Sequence, residues 1–559
     1  MTLSFDDAVA AVTGPGQPFE IVAATVLGVE QRIFAHAPGS LRDLLGTARG
    51  RGDQTFLVFE DERWSFADVM ARVDALGAVL VDTYGIVRGD RVAIGMRNYP
   101  EWVIAFAAIT SVGAVAVSLN AWWTEDELDY GLSDSGARVL VADRDRVVRS
   151  AASCARLGTR VLAVRTTPAD ELPAGIDRWD DVLPLGAALP DVAIDTDDDA
   201  TILYTSGTTG RPKGAVSTHR AVLQALFAFA SRATVERVRD PEAAQASEDV
   251  ESVFILIVPL FHVTGCVPVM LSCFALGFRL VMMYRWDPER ALQLIERERV
   301  TNFVGVPTQS WDLMESPEFN RYDTSSLRAV GGGGAPAPPT LVARISDRFK
   351  AGGPNIGYGM TETNAYGPGN SGADYVHRPS STGRAMPILQ VAVRDPLGAD
   401  LATGRSGEIW MKGPNLIRGY WNRPDATAEA IVDGWLRSGD VGYLDEEGFL
   451  FIEDRLKDMI LRAGENVYCA EVEAALYEHP SVHEVAVFGL PDPRLGEEVA
   501  AVVVTRPGAT VTVEELQAQV AARLAAFKVP TRIMVTDEVL PRNAAGKILK
   551  RELRTTFED

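Results

Sequence analysis

The chain lacks the cysteine patterns that mark metal or disulfide frameworks. Its four cysteines, Cys154, Cys266, Cys273 and Cys469, form no CxxC pair and no Cys/His group with metal-ligand spacing. Buried free thiols in a reducing compartment are therefore expected. Basic charge is also short: 54 Lys and Arg stand against 76 Asp and Glu, for a formal net charge of −22. That balance disfavours nucleic acid and anionic membranes as partners, and an anionic substrate would need local basic groups that overcome the global field. Residues 1–11 carry acids and no basic stretch ahead of an apolar run, so no secretory leader is expected and the cytoplasm is the expected location. One segment without formal charge, 253–278, is long enough to span a bilayer. Pro259, Gly265 and Pro268 break it, however, and polar His262, Thr264 and Ser272 recur along it. A core strand over 253–258, a turn and a buried helix over 267–276 are expected instead of an integral membrane segment. Peripheral membrane contact and a homodimer stay open.

What is present is ordinary globular composition, 47% hydrophobic and 23% charged over 559 residues, which predicts two or more domains with ample core. From about 91 to 357, apolar runs at 92–95, 115–119, 139–142, 280–283 and 303–306 alternate with helical stretches. Two helices carry start signals: Thr124 with Glu127 fits a capping box, and Asp287-Pro288-Glu289 supplies N-cap, first-turn proline and first-turn acid. The alternation predicts an α/β fold with largely parallel sheets covered by helices on both faces. Short glycine-punctuated strands at 390–394, 407–412 and 448–452 predict a small β-rich subdomain. A charged run at 454–458 then leads into an α+β pattern with helices near 470–478 and 513–525 and strands at 485–489 and 499–504. The expected division is a large N-terminal domain, 1–456, and a small mobile α+β C-terminal domain, 457–559.

The stretch 203–214, Leu-Tyr-Thr-Ser-Gly-Thr-Thr-Gly-Arg-Pro-Lys-Gly, reads as a phosphate loop. Gly207 and Gly210 allow a tight fold with backbone N–H groups turned inward, Thr205, Ser206, Thr208 and Thr209 carry hydroxyls, and Lys213 adds a mobile positive charge. Residues 201–204 read as a strand and 219–230 as a helix, which places the loop between strand and helix. The Walker spacing G-x-x-x-x-G-K-S/T is absent, which argues against P-loop kinase or GTPase chemistry.

Four further stretches have compositions that suit a nucleotide site. Gly331 to Pro336 follows a strand expected at 327–330, and glycine at a strand's C-terminal end lets a flat ligand approach the backbone. Tyr358-Gly359-Met360-Thr361-Glu362-Thr363 offers one carboxylate, which with phosphate oxygens and waters can hold a hard cation. Trp435 to Asp440 ends in an Asp after glycine, and Arg455 follows. Pro541 to Ile548 carries Lys547 behind a Pro…Gly-Lys pattern, and lysine is a compact charge on a long arm.

Taken in order, these motifs closely resemble those of the acyl-adenylate-forming superfamily, which includes acyl-CoA synthetases, firefly luciferase and the adenylation domains of peptide synthetases. The resemblance runs from about Leu41 to Glu552 and is most like a fatty-acid or acyl-CoA synthetase. It implies that residues 205–210 and Lys213 hold phosphate, with Thr208 also catalytic, and that Gly333, Gly334, Ala335 and Pro336 line the adenine and the acyl group. It further implies that Tyr358 and Gly359 meet adenine, Thr361 phosphate, Glu362 magnesium, and Asp440 with Arg455 the ribose. His262 in Pro259-Leu260-Phe261-His262 matches the loop beside the carboxylate site; on sequence grounds alone it reads as a packed structural histidine. Val306, Gly332 and Met360 are assigned to the acyl pocket with His262, and the resemblance counts His262 and Glu362 among the catalytic residues. Lys457 matches the hinge, Gly464 the pantetheine tunnel and Lys547 the catalytic lysine. The chain departs from the family pattern at Arg462-Ala463-Gly464, where Ser-Gly-Gly is common, and at Cys469, where proline is.

The implied function is ATP-dependent acyl-CoA ligation: a carboxylic acid becomes acyl-AMP with loss of pyrophosphate, and CoA then takes the acyl group and releases AMP. ATP and CoA are co-substrates and Mg²⁺ the metal. Apolar Val306, Met360 and the helix over 267–276 favour a medium- or long-chain fatty acid. An aryl or polycyclic acid, or delivery to a carrier protein, would keep the same motifs.

Overall fold

The computed structural model describes residues 3–205, 211–246, 250–335, 337–349, 352–463, 465–543 and 548–557. Two eight-stranded sheets form the large part of the molecule. The first runs, from edge to edge, Gly419–Tyr420, Lys213–Thr218, Asp199–Thr205, Val115–Ser118, Arg91–Gly95, Val139–Asp143, Arg160–Val164 and Ile176–Arg178. It is parallel from Asp199–Thr205 onward and antiparallel at the Lys213–Thr218 end. The second has a parallel centre in the order Gly353–Gly357, Ala329–Gly333, Asn302–Gly305, Val253–Leu256, Arg279–Met282 and Thr55–Phe59, with an antiparallel strand at each edge.

Strand alternation explains how both faces are covered. Val92 and Ile94 enter a hydrophobic cluster that also contains Ile255, Phe303 and Val330 of the second sheet and the helix Pro100–Ser111, every residue of which is buried. Ala93, with Val115, Leu140, Ile202 and Val216, faces the opposite way onto Leu128, Leu132 and Val147 of two outer helices. The signalled helix starts are as read. The Thr124 N–H donates to Glu127 Oε2 at 2.8 Å, and Asp287 Oδ1 accepts from the Arg290 N–H at 2.8 Å.

The uncharged segment at 253–278 forms a strand, Val253–Leu256, and a helix. That helix is widened over Gly265–Leu271 to the i→i+5 pattern and is α-helical over Ser272–Leu276. Pro268 sits inside the widened turn, where a missing N–H is tolerated. Among the described residues no helix is long and apolar enough to cross a membrane. All four cysteines are buried free thiols.

Two placements differ from the sequence reading. The phosphate loop does not run from strand to helix; it joins two antiparallel strands, Asp199–Thr205 and Lys213–Thr218, and the helix His219–Arg239 comes after the second. The glycines at 331–333 do not follow a strand but lie within one, Ala329–Gly333. A Cβ on Gly332 would stand 1.7 Å from the Gly305 carbonyl oxygen, and one on Gly333 2.3 Å from that of Gly357. The glycines are therefore needed for the close approach of neighbouring strands before any ligand is considered.

A small antiparallel sheet of Gln390–Arg394, Gly407–Lys412, Trp435–Leu444, Ile431–Val432 and Leu450–Arg455 follows. From Ile460 on, the chain builds a further sheet with its own core. Val472, Val485, Val499 and Leu516 pack on one face, and Phe488, Val502, Leu540 and Leu553 on the other.

Candidate active site

Four adjacent parallel strands of the second sheet end on the same edge, and candidate residues leave each of them. Pro259 to Thr264 follow Val253–Leu256, Val306 follows Asn302–Gly305, Gly334 and Ala335 follow Ala329–Gly333, and Tyr358 to Glu362 follow Gly353–Gly357. Ligands of α/β sheets bind at this carboxyl edge. A Cβ on Gly334 would lie 3.8 Å from Val306 Cγ1, so these two stand side by side, while Val306 is fixed by its N–H donating to Gln309 Oε1 at 2.9 Å. His262 is half-buried, and its Nδ1 accepts from the Thr264 N–H at 3.4 Å.

The ribose candidates form one cluster. The Tyr358 hydroxyl donates to Asp440 Oδ2 at 2.6 Å, and Arg455 Nε lies 3.3 Å from Asp440 Oδ1. Strand pairing sets this up, because Asp440 and Arg455 are directly opposed partners across Trp435–Leu444 and Leu450–Arg455. Burial, and then the negative charge of Asp440, hold the Tyr358 phenol well above its usual range, so it stays a neutral donor. Beside the adenine role that the resemblance implies for Tyr358, its hydroxyl orients the Asp440 carboxylate.

Glu362 lies on a single helical turn, Thr361–Thr363, which is clamped from outside: the Asn415 amide donates to the Thr363 carbonyl at 2.9 Å and the Ile417 N–H to the Glu362 carbonyl at 2.9 Å. The Tyr420 hydroxyl donates to Glu362 Oε1 at 2.7 Å, and Lys213 Nζ sits 4.8 Å from the centre of the Tyr420 ring. No described residue hydrogen-bonds the other carboxylate oxygen, Oε2. Among the described residues no group of three or more His, Cys, Asp or Glu could hold a metal ion. A single carboxylate, one oxygen of which no described residue hydrogen-bonds, fits magnesium that takes its remaining ligands from phosphate and water.

Both ends of the phosphate loop are anchored. Thr205 and Lys213 are paired, the Tyr130 hydroxyl donates to the Pro212 carbonyl at 2.8 Å, and the Trp421 N–H donates to the Gly214 carbonyl at 2.7 Å. The Tyr204 hydroxyl donates to Asp134 Oδ2 at 2.8 Å, and Arg423 pairs with Asp134 at 3.1 Å. Of the predicted site residues, Ser206, Gly207, Thr208, Thr209, Gly210, Pro336, Gly464 and Lys547 lie outside the described residues. Sequence reasoning missed Tyr420, Asn415, Asp134 and Tyr130, whose partners are remote in the chain and leave no local signal.

Lys457 is exposed in the turn that follows Leu450–Arg455. Asp454, just before it, accepts from the N–H of Cys469, a bond that the proline common at this position could not donate. Burial pushes the Asp454 carboxyl up to about 6, against the opposing pull of Lys550, whose Nζ lies 2.8 Å from Glu473. Because the raised value favours the protonated form in the fold, stability from this group is full below the ordinary carboxylate range and is lost as pH rises through 6. Asp454→Asn is therefore expected to be more stable than the parent chain at pH 8, by up to about 3 kcal/mol. The gain should shrink toward zero at pH 4, which melting curves of both proteins across that range would measure. Glu315 of the helix Pro307–Glu315 receives Arg506 and, at 3.2 Å, His483 Nδ1. Burial alone would raise the Glu315 carboxyl, but these two hydrogen bonds outweigh it and hold it at about 2.

Residues 45–421 match the AMP-binding enzyme family and 471–547 the AMP-binding enzyme C-terminal domain. The chain is 39% identical to a feruloyl-CoA synthase of Amycolatopsis sp over 88% of its own length and 94% of that protein's. It is 34% identical to a long-chain-fatty-acid–CoA ligase of Bacillus subtilis, covering 90% and 91%. Its structure is similar to that of the o-succinylbenzoate CoA synthetase MenE from Bacillus subtilis in complex with the acyl-adenylate intermediate OSB-AMP. The TM-score is 0.75 at 28% identity, over 91% of this chain and 97% of that one. The chain belongs to the AMP-binding enzyme family and is an acid–thiol ligase.

Proposed function

We propose that this protein is an ATP-dependent acyl-CoA synthetase that activates a medium- or long-chain fatty acid as acyl-AMP and transfers the acyl group to CoA. The observation that carries the reading is that Tyr358 and Glu362, which both follow the second-sheet strand Gly353–Gly357, tie the Asp440–Arg455 pair of the small sheet and the Tyr420–Lys213 pair of the first sheet to one short segment. The first suits a ribose, whose hydroxyls Asp440 accepts, and the second suits a polyphosphate with its cation. Between them the acid carboxylate attacks the α-phosphorus of ATP, a new P–O bond forms and pyrophosphate departs. Lys213 and Lys547 offset charge on the phosphate oxygens. Magnesium held by Glu362 would supply further neutralisation of those oxygens. The domain from 457 to 559 then turns at Lys457, removes Lys547 and brings Gly464 to the site. There the CoA sulfur attacks the acyl carbonyl and AMP leaves. Free buried thiols suit a reducing cytoplasm.

The fatty-acid reading is supported by apolar Val306 and Met360 and by the buried helix at Gly265–Leu276. An aryl acid is the second reading, favoured by the 39% identity to a feruloyl-CoA synthase. A panel of fatty, hydroxycinnamic and polycyclic acids, assayed for pyrophosphate release and for acyl-CoA by mass, separates them. Acyl-CoA and AMP are expected from fatty acids. Turnover of hydroxycinnamates alone would replace the acid. Acyl-AMP that ignores CoA but loads a carrier protein would replace the acceptor.

A further inference from the structure

Tyr420 belongs to none of the motifs, yet it touches two groups that the reaction needs. It lies on the two-residue strand Gly419–Tyr420 at the edge of the first sheet, opposite Ala215 and therefore just beyond the end of the phosphate loop. Its N–H donates to Thr427 Oγ1 at 2.9 Å, and the Trp421 N–H donates to the Gly214 carbonyl, so the backbone around it has no freedom to drift. From this fixed place its hydroxyl reaches Glu362 Oε1 at 2.7 Å, while Lys213 Nζ rests 4.8 Å over its ring.

Lys213 and Glu362 carry opposite charges and would otherwise be free to pair. A direct ion pair would neutralise the lysine meant for phosphate and occupy the carboxylate meant for a cation. Tyr420 offers each its own contact, and the lysine is held over the aromatic face. The carboxylate is held at one oxygen by the Tyr420 hydroxyl, and no described residue hydrogen-bonds Oε2.

We infer that Tyr420 is a positioning residue for adenylation: it spaces Lys213 from Glu362 and presents a single carboxylate oxygen to the nucleotide-bound cation. This rests on the reading of Glu362 as the magnesium carboxylate. Tyr420→Phe removes only the hydroxyl and keeps the ring. Its Mn²⁺ affinity in the presence of a non-hydrolysable ATP analogue, read by electron paramagnetic resonance, is expected to fall about tenfold or more, the usual cost of losing an outer-shell partner of a metal ligand. KM for MgATP should rise more than kcat falls, and the melting temperature should stay that of the parent chain. Tyr420→Leu also removes the spacer, so it should additionally weaken ATP binding in EDTA, because Lys213 then collapses onto Glu362.

Parent-like Mn²⁺ binding by Tyr420→Phe, together with lost binding by Glu362→Gln, would overturn the inference and leave the magnesium reading standing. Parent-like binding by Glu362→Gln would overturn both. Equal ATP binding in EDTA by the Phe and Leu variants would remove the spacing role.

Discussion

Lys547→Ala should lower the rate of acyl-adenylate formation by a factor of about 10² or more, while thioester formation from supplied acyl-adenylate stays near the parent rate. The size is that of losing a dedicated charge at the phosphate oxygens. The split between steps follows from the proposed turn at Lys457, which takes residue 547 out of the site before the thiol arrives. The chain on either side of Lys547 is held together: Arg542 and Ile548 form a bridge, and the Leu549 N–H donates to the Pro541 carbonyl at 2.8 Å. Pre-steady-state assays of the two half-reactions on one mutant decide the matter. Equal loss in both would mean a static site with one general electrostatic lysine, and no loss in either would mean a surface lysine.

Glu362→Gln is the second large effect, again about 10²-fold or more on adenylation. The amide keeps the shape and still offers an oxygen to the Tyr420 hydroxyl, and the clamps from Asn415 and Ile417 bind backbone rather than side chain. What is lost is the negative charge, so the defect should be accompanied by a changed dependence on Mg²⁺ concentration. Near-normal turnover with an unchanged Mg²⁺ titration would remove Glu362 from the site.

The parallel sheets and the principal clusters were legible because both leave local marks. Alternating apolar runs such as 92–95 declare strands, and the Thr124–Glu127 pair declares a helix start. The hairpin around the phosphate loop was not, since Lys213–Thr218 is short, begins with Lys-Gly and ends in the cap of the next helix, so no period of two develops. Glycines at 331–333 argue against a strand by propensity, and only the nearness of the Gly305 and Gly357 carbonyls, a tertiary fact, makes them right for one. The supporting polar residues were hidden for the same reason. Tyr420 meets Glu362 from 58 residues away, and Tyr204 meets Asp134 from 70. Cys469, visible only as a departure from a pattern, gains its meaning from a backbone N–H that no sequence displays.

The strand that ends in Arg455 leads to Lys457 after one intervening residue, Leu456, so the residue proposed for the ribose lies a few ångströms from the proposed hinge. In any rotation the path travelled grows with distance from the axis. A group carried at a distance from the proposed hinge would sweep a wide arc for the same angle that barely stirs Arg455 and Asp440. The nucleotide would then sit near the centre of the wheel, so AMP could keep its seat while the chemistry around it is exchanged, and its departure need not begin until the acyl group has gone.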